Sequence, residues 1–351
     1  MSPRAAGRVA PITRKKPVSI DLKTTHIEPL RRTFDHIADK LGGDKPATRY
    51  QEAVWGLQPA VNFHYRPSWD QSHALYDPKR TVIVMGDFDD LIDPRQYYYG
   101  TWTIQRGRQQ DSQERNFDFV EKRALLAALA APWRDKITRL VLPIRHVAWA
   151  ANTNNAYICA YGYGAPVTSA AGMHMMDELG VAQYLSRAGL ILGDNDASLL
   201  DVAKAAWMSD VMWQPMRRLV ETSMVTHDWF ELFVLQNLVI DGMVHPLVFE
   251  RFDAAIVAHG GAVFSMLSEF MVDWYAESSR WVDAILKTAA AESPANRAVL
   301  EGWISHWLPQ VAAALTPLAD YAFDGEGAAV MTDLTQSLRA RVGRLALTVE
   351  A

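Results

Sequence analysis

Cysteine is nearly absent: the 351 residues include one, Cys159. That excludes a disulfide framework within the chain, and zinc or iron–sulfur sites built on several thiolates. No apolar run reaches the ~18 residues a membrane helix needs, so no membrane partner is expected. Residues Met1 to Pro17 are basic and lack the apolar core of about 7–15 residues of a secretory signal. Both absences fit a cytoplasmic protein. Positive charge is also short, with 35 Lys and Arg against 40 Asp and Glu. A body this acidic excludes a nucleic-acid groove.

The charge is unevenly spread. Met1 to Tyr50 hold eleven Lys and Arg against five Asp and Glu, or +6; the chain totals −5, so the rest carries −11. A basic arm on an acidic body suits an interaction tail, although Arg14-Lys15-Lys16 alone suits a solvated one. Pro46, Pro59, Pro67, Pro78 and Pro94 interrupt long helices. Yet Trp55, Phe63, Tyr65, Trp69 and Tyr76 crowd the same stretch. Residues 1–100 are therefore expected to form a largely irregular arm, wrapped over the body or over a partner chain. A short helix is expected around Arg31 to Leu41, closed by Gly42-Gly43.

Residues 101–351 are expected to be all-α. The pattern predicts helices near 101–131, 136–161, 167–190, 197–207, 213–240, 246–257, 260–290, 294–314 and 328–347. Breaks fall at Gly162-Tyr163-Gly164 and Gly242 among others, with caps at Asp196, Ser198 and Ser293-Pro294. Strand-like alternation shows only at Thr81 to Met85. Helices of more than about twenty residues suit a bundle.

Such bundles can hold a di-iron carboxylate site, which needs two Glu-x-x-His motifs plus a Glu from each of two further helices. No Glu here has His three residues later. The nearest match is Glu277-Ser278-Ser279-Arg280, and a guanidinium cannot ligate metal. Asp70-Gln71-Ser72-His73 has the spacing but lies in proline-broken chain. Glu269, Asp273 and Glu277 stripe one helix face; a solvated edge, with Glu277 paired to Arg280, is a simpler account than a degenerate metal site. Trp274, Trp281 and Ile285 mark the buried face. Asn152, Asn154 and Asn155 are poor residues mid-helix, and suit a buried network, a chain contact or an exposed turn. His146 reads as a core histidine, Cys159 as a core thiol, and His227 with Glu231 as an intrahelical hydrogen bond. Nucleophile-elbow, Walker and dinucleotide-loop sequences are absent. The chain is expected to hold no catalytic, cofactor-binding or metal-binding residue of its own.

Several runs carry a resemblance. They are Tyr50-Gln51-Glu52-Ala53, Asn62-Phe63-His64-Tyr65-Arg66-Pro67, the stretch from Asp93-Pro94-Arg95 through Tyr97-Tyr98-Tyr99 to Trp102, and Gln109-Gln110-Asp111. Further runs are Asn116-Phe117, Phe119 to Arg123, Ala151-Asn152, Asn154-Asn155, Asp228 to Glu231, and Trp274 through Glu277 to Asp283. Together, over about Glu28 to Glu292, the chain resembles the β subunit of bacterial multicomponent monooxygenases. Phenol hydroxylase is the nearest likeness; toluene and soluble methane monooxygenases are more distant.

The resemblance implies a ferritin-like helical bundle with an extended N-terminal arm. It implies a hydroxylase built as a dimer of αβγ units, so that the catalytic α subunit, the γ subunit and a second αβγ unit are partners. The di-iron centre that activates O2 would lie in α, with Arg280 here in place of a histidine. NADH would act through a separate reductase, and a small effector protein would regulate turnover. Tyrosine and tryptophan suit interfaces or self-packing equally. The expected subunit-interface residues are Phe63, Tyr65, Arg66, Trp69, Arg95, Tyr97, Tyr98, Tyr99 and Trp102. Two alternatives stay open: an independent metalloenzyme using Glu121, Glu231, Asp273 and Glu277, and a helical interaction module with no oxygenase link.

Overall fold

A computed structural model describes residues 35–42, 46–60 and 65–349. Arg14-Lys15-Lys16, Arg31, Gly43 and Phe63 lie outside the described residues. The chain divides into Met1–Pro46 and Ala47–Ala351. In the first unit, a 3-10 turn over Asp35–Ile37 runs into the short helix α1, Ala38–Leu41. Gly42 ends it at φ +77°, a left-handed conformation natural to glycine.

The second unit is helical, with no strand among the described residues. It contains α2 (Arg49–Val54), α3 (Tyr99–Lys122), α4 (Ala131–Lys136), α5 (Ile144–Tyr161) and α6 (Ala165–Leu192). Then come α7 (Ser198–Ser209), α8 (Gln214–Ser223), α9 (Trp229–Phe233), α10 (Asp241–His245) and α11 (Asp253–Val257). Three long helices close the chain: α12 (Ala262–Glu292), α13 (Pro294–Ala322) and α14 (Gly327–Gly343). Residues 47–100 belong to this unit.

Helices α9 to α11 are one continuous helix, Trp229–Val257, interrupted by π-helical turns over Val234–Ile240 and Pro246–Phe252. Pro246 has no N–H for the α ladder, and a π turn absorbs that loss. By length and composition this helix could cross a membrane, which the apolar-run criterion missed. Instead 94% of its apolar window is buried inside the protein. It forms the centre of the core, with Trp229, Phe230, Phe233 and Phe252 fully enclosed. The helix expected over 213–240 is in fact two, separated at Met224–Asp228. Gly242, expected as a break, sits inside the helix, where an added Cβ would lie 3.1 Å from the Leu338 side chain.

Helices α5 and α6 form a hairpin across Gly162-Tyr163-Gly164. Gly164 has φ +100°, and a Cβ there would meet the Phe88 carbonyl oxygen at 2.7 Å. Ser293 caps α13 as expected, accepting from the Asn296 N–H. At α7 the residue before the helix is Ala197, and Asp196 accepts the Ser198 N–H.

The alternation at Thr81 to Met85 is real but belongs to no sheet. Thr81, Ile83 and Met85 are buried while Val82 and Val84 face outward. The N–H groups of Val82, Val84 and Gly86 donate instead to side chains: Asp228, Asn296 and Glu292. This segment is an extended strap over the helices. Asn296 also donates to the Val84 carbonyl at 2.8 Å and to Ala289. Asn296→Ala would leave those groups unpaired, and is expected to cost about 1–3 kcal/mol. Urea denaturation and limited proteolysis of residues 78–90 would check this, with faster cleavage in the variant.

Candidate functional site

Among the described residues one group of ligand-type side chains converges: His174, Glu178 and Asp241, all buried. His174 and Glu178 stand one turn apart on α6, on one face. Asp241 comes from the central helix, between its two π turns, a type of distortion frequent at functional sites. His174 Nε2 lies 3.8 Å from Glu178 Oε1 and 3.9 Å from Asp241 Oδ2, too far for hydrogen bonds. Neither ring nitrogen of His174 has a hydrogen-bond partner in the protein, and neither does Glu178 Oε1. The His174 ring is stacked on Trp274, with planes at 11°, and packs edge-on to Trp281. Burial, then the neighbouring Asp241 and Asp177, push the Glu178 carboxyl well above the usual range. His245, one turn beyond Asp241, is stacked on Tyr275, and burial pulls its pKa down to about 4.

A polar network backs the group. Asp241 Oδ1 accepts from Gln236 Nε2 at 2.8 Å, and Gln236 in turn accepts from Asn154. Asn155 and Asn237 exchange two hydrogen bonds of 3.0 Å. Asn152 donates to the Met175 carbonyl on α6. Asn154 and Asn155 thus form part of a buried network, as one of the three readings expected, while Asn152 is half-buried.

Beside the group lies a second charged cluster. Arg106 on α3 forks onto Asp177 at 2.6 and 2.8 Å, and reaches Glu277 at 3.2 and 3.3 Å. Trp102 Nε1 donates to the same Asp177. Burial lowers the Arg106 pKa, but Asp177 and Glu277 outweigh it and leave the guanidinium firmly charged. Glu277 therefore pairs with Arg106, where the sequence reading paired it with Arg280. Burial and Glu277 both raise the Tyr97 hydroxyl.

The expected interface residues separate into two sets. Arg95 forks onto Asp93 and lies over the rings of Tyr97 and Trp281, so it is bonded within the chain, as are Tyr97 and Trp102. Tyr98 is half-buried. Tyr65, Trp69 and Tyr99 face outward, 56%, 68% and 76% exposed. Arg66 is exposed and donates to the Gln71 carbonyl.

Trp69 borders a surface cleft with Arg80, Tyr157, Tyr161, His227 and Asp228. Asp70 and His73 do meet there, at 3.1 Å, with Arg80 on the same carboxylate. Ser72 above all, then His73, holds the Asp70 carboxyl well below the usual range.

The carboxylates of the metalloenzyme alternative do not converge. Glu121 is exposed and accepts from Asn195, Glu231 accepts from Trp307 Nε1, Asp273 is exposed and Glu277 is held by Arg106. His227 precedes the helix that contains Glu231, so the expected intrahelical bond is replaced by the Asp228 cap. His146 is half-buried and stacked on Trp207, and its Nε2 has no partner within the protein. Burial raises the Cys159 pKa, which suits an inert thiol.

A di-iron pair does not fit the described residues. Two irons need six side-chain ligands, and three converge among the described residues. Sequence reasoning missed this trio because it searched for Glu followed by His. The order here is His174-x-x-x-Glu178, with Asp241-x-x-x-His245 on the facing helix.

Removing Arg106 would strand two carboxylates. Arg106→Met is expected to destabilise the chain by about 3–5 kcal/mol, with part restored by adding Asp177→Asn; chemical denaturation would measure both. His146 titrates at about 4 in the folded chain, lowered by burial and then by Arg145 and Lys204. Its unfolded value is near 6.5. The neutral ring thus favours folding above pH 6.5, and that contribution fades as pH falls towards 4. His146→Phe is expected to flatten the stability profile over that window, measured as Tm against pH.

Residues 69–293 match the family described as Methane/Phenol/Alkene Hydroxylase. The chain is 44% identical over 330 residues to the phenol 2-monooxygenase oxygenase component DmpL of Pseudomonas sp. strain CF600, covering 94% of this chain and 98% of that one. It is 24% identical over 295 residues to the hydroxylase subunit beta of the toluene-4-monooxygenase system of Ectopseudomonas mendocina, covering 81% and 85%. A solved structure of phenol hydroxylase from Pseudomonas sp. OX1 superposes with a TM-score of 0.87 at 45% identity, covering 94% of this chain and all of that one. A toluene 4-monooxygenase structure shares the fold at a TM-score of 0.75 and 22% identity, covering 85% and 99%. The expected ferritin-like helical bundle is thus the observed fold. The chain belongs to the methane/phenol/alkene hydroxylase family.

Proposed function

We propose that this chain is the non-catalytic β subunit of a phenol hydroxylase-type di-iron monooxygenase. It assembles in the cytoplasm with a catalytic α subunit and a γ subunit, and two αβγ units pair. The α subunit holds the di-iron centre and hydroxylates an aromatic substrate with O2. Electrons come from NADH through a reductase, and a small effector protein regulates turnover. The observation that carries this reading is the disposition of α12: Glu277 is spent on Arg106, and Trp274 and Trp281 stand against His174. That helix supplies no ligand to the one convergent group. Likeness to phenol 2-monooxygenase components supports the reaction class. The outward aromatics Tyr65, Trp69 and Tyr99 are the side chains of the arm best placed to meet a partner.

Co-expression with the α and γ genes tests this. The expected product is a hexamer by light scattering, which oxidises phenol only when reductase and effector are added. The chain alone is expected to consume no O2. Hydroxylation by the chain alone, or failure to co-purify with α, would overturn the reading.

A further inference from the structure

Solvent-facing apolar side chains gather on one outer face of the bundle. Residues 146–186, most of the α5–α6 hairpin, hold no Lys or Arg, and their two acids, Asp177 and Glu178, are buried. The chain as a whole is 21% charged. What the hairpin turns outward includes Trp149, Met176 and Leu179, at 55%, 39% and 41% exposed. Met176, Leu179 and Gln183 stand at i, i+3 and i+7, on one face of α6. The bond from Asn152 to the Met175 carbonyl sets the antiparallel register of the hairpin. It places Trp149, one turn back on α5, beside Leu179, one turn on along α6.

Helix α3 lies along the other flank of that stripe. Trp102 and Arg106 bond to Asp177, and Gln110 accepts from Tyr184, so α3 and α6 run side by side. The start of α3 adds Tyr99 and Ile104, 76% and 57% exposed, and residues 96–105 carry no charge. Gly107 and Gly180 lie at matching levels of the two helices, and a Cβ on either would meet nothing within 4 Å. Glycine weakens a helix interior, and no neighbour within this chain requires it at either position. It lets another backbone come close. Three helices about 9 Å apart and about 27 Å long present roughly 700 Å2, near the ~800 Å2 that each partner gives to a stable interface.

A face without charge is covered without stranding an ion, and it suits a partner surface that is equally uncharged. Aromatics continue it into the arm. Trp69 Nε1 donates to Tyr161 at the end of α5, and Tyr99 opens α3. Trp69 and Tyr99 are also the arm side chains that meet the catalytic subunit in the β-subunit role. A second copy of this chain would instead bring an identical acidic body, −11 over residues 51–351, against the first. We propose that the outer face of α5 and α6, with the start of α3, is the seat of the catalytic subunit, anchored by Trp149 and Leu179. This assignment rests on the β-subunit role.

The test is co-expression of the whole complex with an affinity tag on the catalytic subunit. The wild-type chain is expected to co-purify in equal amount. Gly180→Arg puts bulk into open space and removes a helix-weakening residue. It is expected to fold with an unchanged or higher Tm, yet to be recovered about tenfold less or worse, as are the exposed-site variants Trp149→Glu and Leu179→Lys. Val257→Lys, at a 42% exposed position on α11, is expected to assemble normally. Circular dichroism of each variant chain reads folding apart from assembly. Recovery of all three folded variants with the catalytic subunit would overturn this face and leave the subunit role standing. Failure of the wild-type chain to assemble would overturn both. Loss of fold in Gly180→Arg would mean that the face is closed within the chain, and would overturn the proposal too. The chain alone is expected to sediment as a monomer; a dimer that Leu179→Lys dissociates would give the face to a second copy and not to the catalytic subunit.

Discussion

The polar side chains on the buried central helix constrain much of the structure. Gln236, Asn237, Asp241 and His245 are enclosed in a helix whose other buried residues are mostly Leu, Val, Ile, Met and Phe. A buried amide without a partner costs about 1–3 kcal/mol, so neighbouring helices must supply partners. On α5 they do so in step: Asn154 meets Gln236, and Asn155 meets Asn237. One residue further on one helix matches one residue further on the other. A slip of the register would strand several amides together, which fixes α5 against the central helix more firmly than apolar packing alone would. Because α6 follows α5 through a three-residue link, that same register brings His174 and Glu178 to Asp241.

The strap is fixed by the same economy of groups. Asp228 caps the central helix with Oδ1, accepting from Phe230 and Glu231, and takes the Val82 N–H with Oδ2. Asn296 gives its own N–H to the Ser293 cap and its side-chain amide to Val84. Helix starts and strap docking therefore share residues. This explains how a segment with repeated prolines and alternating apolar residues is ordered without a neighbouring strand. Its backbone donors are answered by helix-end side chains, which satisfy the same demand as a ladder.

Periodicity and punctuation made most of the helices legible. The asparagine triplet stood out because Asn is unfavourable mid-helix, and the network explains its presence. Three features were not legible. The π turns leave no mark in composition, so Gly242 looked like a break. Glu277 has a local candidate partner in Arg280, but its true partner Arg106 lies 171 residues away; long-range pairing has no local signature. The buried trio was hidden by the expectation that carboxylate precedes histidine at i,i+3. His-x-x-x-Glu places the same two groups on one face, and only the facing helix distinguishes it from chance.

Asp177 and Glu178, adjacent on α6, show how this bundle divides its charge. Asp177 turns to Arg106 from α3 and shares that cation with Glu277 from α12. Glu178 turns to the central helix and meets Asp241. Trp274 and Trp281, also from α12, pack on His174. Two of the four carboxylates are thus neutralised by a guanidinium, which is always charged and offers no lone pair to a metal. The other two have no such cation. A single arginine on α3 thus draws two of the four carboxylates away from the central helix and ties α3, α6 and α12 together.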